Sequence, residues 1–190
     1  MFLLETDRLR ITEFTPDMAP AVYRNSLDEA NRRFLPDEVF ETVEAAEETI
    51  RFLVSRYEGR EGPFVYPVLL GDVPVGHVQV LTLEDHMWET GFHIAADFTG
   101  KGYATEALGA FLPVMMRILG IHRIYGICLS DNTASRRVME KCGFELEFSG
   151  KGMYQGKIRD ICRYILHSGA QGSALRSVGC GTVGQALSSL

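Results

Sequence analysis

Phe98-Thr99-Gly100-Lys101-Gly102-Tyr103-Ala104-Thr105-Glu106-Ala107 is the stretch on which the reading of this chain turns. It follows a β-type run, Glu89 to Ala95, and opens a helical pattern whose apolar face carries Ala104, Ala107, Leu108, Phe111, Met115 and Ile118. Two closely spaced glycines at such a junction let the backbone curl with its N–H groups converging. The positive end of the helix adds to their field, so the junction can cradle phosphate oxygens. Two better-known phosphate loops do not match: no Gly-Lys-Ser/Thr ending follows, and no third glycine stands at dinucleotide-binding spacing. Glycine also serves simply to turn a chain, so the loop alone names no ligand.

Upstream of the loop, Arg8 to Phe14 alternates like a half-exposed strand, and Thr15-Pro16-Asp17 reads as the start of a helix reaching about Asp28. Ala30 to Phe40 reads as an irregular loop. Thr42 to Glu58 is a second helix, with Val43, Ala46, Ile50, Leu53 and Tyr57 on one face. Phe64–Leu70 and Val73–Leu83 are strands joined by a Gly71-Asp72 turn. Downstream, the third helix runs to about Leu119, with a kink expected at Pro113. Arg123–Leu129 is a strand, Asp131 or Asn132 caps a fourth helix that stops at Gly143, and strands near Phe144–Tyr154 and Lys157–His167 follow. This order describes a mixed α/β sheet with helices on its faces. The domain is expected over residues 1–167. Residues 168–190, rich in Gly, Ser and Ala, read as a poorly ordered tail.

The chain has 190 residues, 46% hydrophobic and 23% charged, enough for one domain with a core that needs no disulfide or metal. No apolar run reaches membrane-spanning length and the N-terminus lacks a signal-peptide pattern, so a cytoplasmic protein without a membrane partner is expected. The net charge of −6, with no concentrated basic face, argues against a nucleic-acid partner. Cys128, Cys142, Cys162 and Cys180 show no metal-ligand spacing, so reduced thiols and no metal are expected.

A second segment, Asn132-Thr133-Ala134-Ser135 followed by Glu140-Lys141-Cys142-Gly143-Phe144, starts just after a strand. Taken with the glycine loop, it resembles the GNAT acetyltransferases: G-K-G-Y-A-T-E-A is similar to their pyrophosphate loop, and N-x-x-S…E-K-x-G-F to their next motif. Glu5-Thr6-Asp7-Arg8-Leu9-Arg10-Ile11 resembles the opening of the Rim-type branch, which acetylates ribosomal-protein N-termini and includes relatives acting on small amines. Gly156-Lys157-Ile158-Arg159-Asp160 resembles its closing hairpin, so the likeness covers Glu5 to Leu166. Thr99 stands where the superfamily often has Gln or Arg.

The resemblance implies a mostly antiparallel central sheet flanked by helices, with acetyl-CoA as co-substrate and an amine as acceptor, either a protein N-terminus or a small molecule. It implies that backbone N–H groups of Gly100, Gly102, Tyr103, Ala104 and Thr105 bind pyrophosphate, with Lys101 adding charge. The pantetheine arm would lie along Phe92, His93 and Ile94, at an opening between this strand and the one from Arg123. Glu89 is the first candidate for the base, acting through an ordered water; His77 and His93 have suitable intrinsic pKa values but also read as structural strand residues. Met139 stands where many members carry a proton-donating tyrosine, and it cannot donate. Ser135 matches the serine of the Rim-type branch, which makes it the candidate hydrogen-bond donor near sulfur, and Asn132 a helix cap that touches the cofactor arm. A non-catalytic acyl-CoA sensor is the rival from another class. A homodimer is left open.

Overall fold

The computed structural model describes residues 2–59, 62–83 and 87–169, without the side chains of 30, 31 and 37. In chain order its elements are β1 (Leu3–Glu5), β2 (Arg10–Thr12), α1 (Ala19–Ser26), α2 (Glu29–Phe34), α3 (Val43–Arg56), β3 (Phe64–Leu70), β4 (Val73–Thr82), β5 (Trp88–Ile94), α4 (Tyr103–Leu119), β6 (Arg123–Leu129), α5 (Thr133–Lys141), β7 (Glu145–Tyr154) and β8 (Lys157–His167). The strands form one sheet in the order β1-β2-β3-β4-β5-β6-β8-β7. Every neighbouring pair is antiparallel except β5–β6.

The helices cover both faces. On one, α4 and α5 pack over Val68, Val78, Val80, Ile124 and Tyr164 through Ala107, Leu108, Phe111 and Met139. On the other, α1 and α3 bring Ala19, Ala46, Ile50 and Leu53 against Phe14 and Val65. From His77 onward β4 follows period 2, with Val78 and Val80 under α4 and His77, Gln79 and Leu81 facing α1 and α3; nearer its start the ladder with β3 shifts register at Val68/Leu69 and Val75 also lies on the α4 side.

Several expectations are refined. Leu3–Glu5 is an additional edge strand whose Leu3 registers with Thr12; three residues are too few for a periodic signal. Thr15 makes no capping hydrogen bond; Pro16 opens a 3-10 turn and the α-helix begins at Ala19. The stretch read as a loop from residue 30 to 40 contains most of α2 and a 3-10 turn, Pro36–Glu38. α4 runs unbroken through Pro113. A mid-helix proline costs about 3 kcal/mol, but Phe111, Leu112, Met115 and Met116 around it are all buried. Each such side chain contributes roughly 1.5–3 kcal/mol, so packing outweighs the missing bond. Ile118, read onto the same face, is 61% exposed. Residues 170–190, including Cys180, lie outside the described residues; of the tail expected from 168, Ser168 is tied to the domain by its N–H, which donates to the His122 carbonyl at 2.8 Å.

Candidate active site

The one parallel junction of the sheet is short for the length of its strands. β5 and β6 register only at Glu89↔Tyr125 and Thr90↔Gly126. Beyond those two pairs, Gly91–Ile94 and Ile127–Leu129 have no register partner across the junction. β5 stays paired with β4 as far as Ile94, and β6 with β8 as far as Leu129. A gap lined by backbone thus opens toward the carboxyl ends of the two parallel strands, the position where open α/β sheets bind ligands.

The glycine loop stands at the end of β5. Gly100 and Gly102 have φ of 75° and 83°, the left-handed region that costs any residue with a Cβ about 1–2 kcal/mol. Gly102 is the N-cap of α4, so no capping side chain competes for the first-turn amides of Tyr103, Ala104 and Thr105. A Cβ at Gly100 would meet nothing within 4 Å. An uncapped helix start with open space in front of it fits a pyrophosphate. Lys101 Nζ donates to the Asp97 carbonyl at 3.0 Å and lies 5.4 Å from the Phe98 ring centroid, which ties this lysine to its own loop.

The loop is braced from the N-terminal segment. Glu106 Oε1 accepts from Thr6 Oγ1 at 2.6 Å and from the Arg8 backbone N–H at 3.1 Å, while Oε2 accepts from Arg8 Nε at 2.7 Å. Arg8 Nη1 also donates to the Lys101 carbonyl at 3.0 Å, and the guanidinium lies 4.6 Å from the Tyr103 ring centroid. Burial raises the pKa of Glu106, but the bonds from Thr6 and Arg8 outweigh it and hold the carboxyl below the usual carboxylate range. Sequence reasoning quoted Arg8 and Glu106 within motifs without linking them.

Across the gap, α5 begins at the end of β6. Asn132, not Asp131, is its cap: Asn132 Oδ1 accepts from the Ser135 backbone N–H at 3.1 Å. Asp131 instead pairs with Arg33 of α2 at 2.5 Å. The bond to Asn132 uses Ser135's backbone and makes no use of its half-buried hydroxyl. Met139 is 2% exposed and packs over Gly126, where a Cβ would collide with its sulfur.

Residues 8–145 match the family model described as the acetyltransferase (GNAT) domain. The chain belongs to the GNAT acetyltransferase family. It is an acetyl-CoA-dependent N-acetyltransferase. The uncharacterized N-acetyltransferase YnaD of Bacillus subtilis is 31% identical over 147 residues, covering 76% of this chain and 83% of the relative. A GNAT-family acetyltransferase structure from Bacillus anthracis superposes with a TM-score of 0.75 at 27% identity, covering 88% of this chain and 99% of that one. RimL, the ribosomal L7/L12 α-N-protein acetyltransferase solved with coenzyme A, superposes at 0.76 with 20% identity, covering 89% and 99%.

In this acetyltransferase, Glu89 starts the gap on the face under α1 and α3. Its register partners on the two sides are Leu81 and Tyr125. Burial pushes its carboxyl up to about 7. Further along β5 on the same face, Gly91 keeps the surface low because Gln79 lies across it; a Cβ there would stand 2.5 Å from Gln79 Nε2. His93 follows, with its ring 5.6 Å from that of His77 on β4. His93 Nε2 lies 3.6 Å from Asp28 Oδ2, and His77 Nε2 3.2 Å from Glu38 Oε2. Burial first and the neighbouring His77 second pull the His93 pKa down to about 4. Burial raises Glu38, but the charges and hydrogen-bonding groups of His77, His93 and Gln79 outweigh it and leave the carboxyl below its ordinary value.

Sequence reasoning named His77 and His93, but not Glu38 or Asp28. Glu38 reaches the site from a 3-10 turn that has no periodicity to read. Among the described residues no group of three or more His, Cys, Asp or Glu is arranged to hold a metal, and no helix is long and apolar enough to cross a membrane.

Proposed function

We propose that the enzyme moves the acetyl group of acetyl-CoA onto a primary amine by direct attack within a ternary complex, with a protein N-terminal amine as the first acceptor class. The observation that carries this reading is the two-pair β5–β6 junction opening beside an uncapped glycine loop. RimL acts on a ribosomal-protein α-amine, which supports the choice of acceptor.

Acetyl-CoA supplies an activated acyl thioester; the chain's own residues hold it and manage protons. The amides of Gly100, Gly102, Tyr103, Ala104 and Thr105 take the pyrophosphate. Lys101 adds only a general positive field, since its ammonium is bound to Asp97. The unpaired backbone of Phe92, His93 and Ile94 pairs with the pantetheine amides, and one of its N–H groups faces the developing oxyanion. Glu89, as carboxylate, takes the proton of the incoming ammonium through a water. The amine nitrogen then bonds to the acyl carbon, the C–S bond breaks, and the nitrogen's surplus proton passes through water to the departing thiolate, to which the Ser135 hydroxyl donates a hydrogen bond. Asn132 holds the start of α5 so that Ser135 faces the gap.

The test is CoA release by the purified protein with acetyl-CoA and panels of N-terminal peptides and small amines. Acceptor-dependent release that falls in Ser135→Ala and Glu89→Gln, with acetyl-CoA affinity retained, is expected. Hydrolysis independent of any amine would remove the transfer reading.

A further inference from the structure

The sheet face under α1 and α3 holds a cavity of about 290 Å³ that the steps above do not use. Its walls are apolar over most of their extent, including Phe14, Val22, Phe40, Ile50, Leu53 and Val65. One end is polar, formed by Glu38, His77, Gln79 and His93. Two atoms at that end, Glu38 Oε2 and His93 Nε2, are buried and make no hydrogen bond among the described residues. His77 Nε2 stands 3.2 Å from Glu38 Oε2 and Asp28 Oδ2 stands 3.6 Å from His93 Nε2, and neither contact is a hydrogen bond. Buried polar atoms are ordinarily paired, so two orphans bordering one cavity mark where a donor-bearing group is missing.

Resting on the acetyl-transfer reading, we infer that this cavity seats the acceptor, and that the acceptor is a primary amine carried on a compact apolar group. A nitrogen with two or three N–H donors satisfies both orphan atoms, and Glu38 supplies the countercharge for its ammonium form. The polar end lies at His93, on the half of β5 that has no partner across the gap, so the nitrogen is placed beside the thioester. The apolar remainder runs toward Pro63 and Val65 on the β3 side and takes the carbon body. Two features set the class. The volume lies near the lower limit of ligand pockets, roughly 300–1,000 Å³, which selects one compact group. Carboxylates are confined to the polar end, Glu38 in the lining and Asp28 3.6 Å from His93 Nε2, so a second cationic centre further along would meet only neutral groups, Asn25, Ser26 and Thr49 among apolar side chains. Apolar monoamines are therefore favoured over polyamines and hydroxylated amines. A free amine and a peptide whose first side chain is apolar present the same chemistry.

The experiment compares acetyl-CoA turnover on phenethylamine, isoamylamine, ethanolamine and spermidine, and on peptides beginning with Leu, Phe, Ser or Lys. Calorimetry of phenethylamine with CoA-loaded enzyme runs alongside. A preference of about tenfold or more for the apolar members is expected, and the better of the two arms identifies the source. Glu38→Gln should raise KM for these acceptors by about tenfold, with a smaller effect on kcat. Thr49→Trp projects from the partly exposed wall of α3 and fills the cavity. It should reverse the preference toward the smallest acceptors and abolish phenethylamine binding. Turnover that is highest on spermidine or ethanolamine, or a preference untouched by Thr49→Trp, overturns the inference and leaves acetyl transfer standing. Phenethylamine binding lost in Thr49→Trp, with no turnover of any amine, keeps the cavity and removes the transfer reading. Absence of both binding and turnover removes both.

Discussion

Glu106, in the first turn of α4, accepts a 2.7 Å hydrogen bond from Arg8 Nε, and both of its carboxylate oxygens are occupied by the N-terminal segment. The brace holds the amide cradle from behind: Arg8 also grips the Lys101 carbonyl inside the loop. Arg8→Ala should therefore weaken acetyl-CoA binding by about tenfold, roughly 1.4 kcal/mol, as measured by calorimetry. Arg8 is 45% exposed, so the loss in global stability should stay within about 1 kcal/mol, or a few degrees in Tm.

The same pair has a pH signature. The folded pKa of Glu106 is lowered, so its contribution is complete above the ordinary carboxylate range and is lost as pH falls through the lowered value. The Tm difference between the native protein and Glu106→Gln should be greatest near neutrality and should close in acid. A difference independent of pH would mean that the carboxylate's charge is irrelevant to the brace.

Glu89 has the opposite sign. Its folded pKa stands at about 7, above the roughly 4.3 of an unfolded glutamate. Between those values the folded state retains a proton that the unfolded chain releases, so this group's contribution to stability declines as pH rises. The rate should behave inversely, with kcat/KM rising through an inflection near 7 as the carboxylate forms. Glu89→Gln should lose that limb and raise Tm at pH 8. A variant that keeps the limb would exclude Glu89 as the base.

Asn132 and Ser135 can be separated because the cap uses the serine's backbone. Asn132→Ala removes the cap at a cost of about 1 kcal/mol, which should lower Tm by a few degrees. Ser135→Ala should leave Tm unchanged while cutting kcat by about tenfold to a hundredfold, the value of a hydrogen bond to a charged sulfur. Equal losses of Tm in both variants would reduce Ser135 to a helix residue.

Met139→Tyr should not create a proton donor. The position is sealed against Gly126 and is 2% exposed, so a larger ring overpacks the core. A loss of about 1–3 kcal/mol without a gain in kcat is expected, read by thermal melts and steady-state rates. A faster enzyme would show that the ring reaches the gap.

The elements from α3 to β8 were legible because each is long enough to show its period, and because Gly71 and Gly143 mark their ends with positive φ. β1 and α2 were not: three residues of strand and six of helix fall below any periodic signal, and both depend on partners distant in sequence. The glycine loop was legible as a turn opening a helix, and Gly100 and Gly102 have the positive φ such a turn uses; its ligand is implied by the resemblance alone, because glycines by themselves name none. The grouping of Glu38 with His77 and His93, and of Arg8 with Glu106, could not be read. Those pairs are set by strand register and by helix packing over the sheet, and neither leaves a spacing rule in the chain.

The short β5–β6 ladder also bears on how this protein holds together. Among the described residues, two register pairs join the β1–β5 half of the sheet to the β6–β8 half, and α4 packs on core residues from both halves. A molecule lying in the gap and pairing with β5 would complete a ladder the chain leaves unfinished. A ligand in the gap would then couple its own binding to the pairing of the two halves of the sheet.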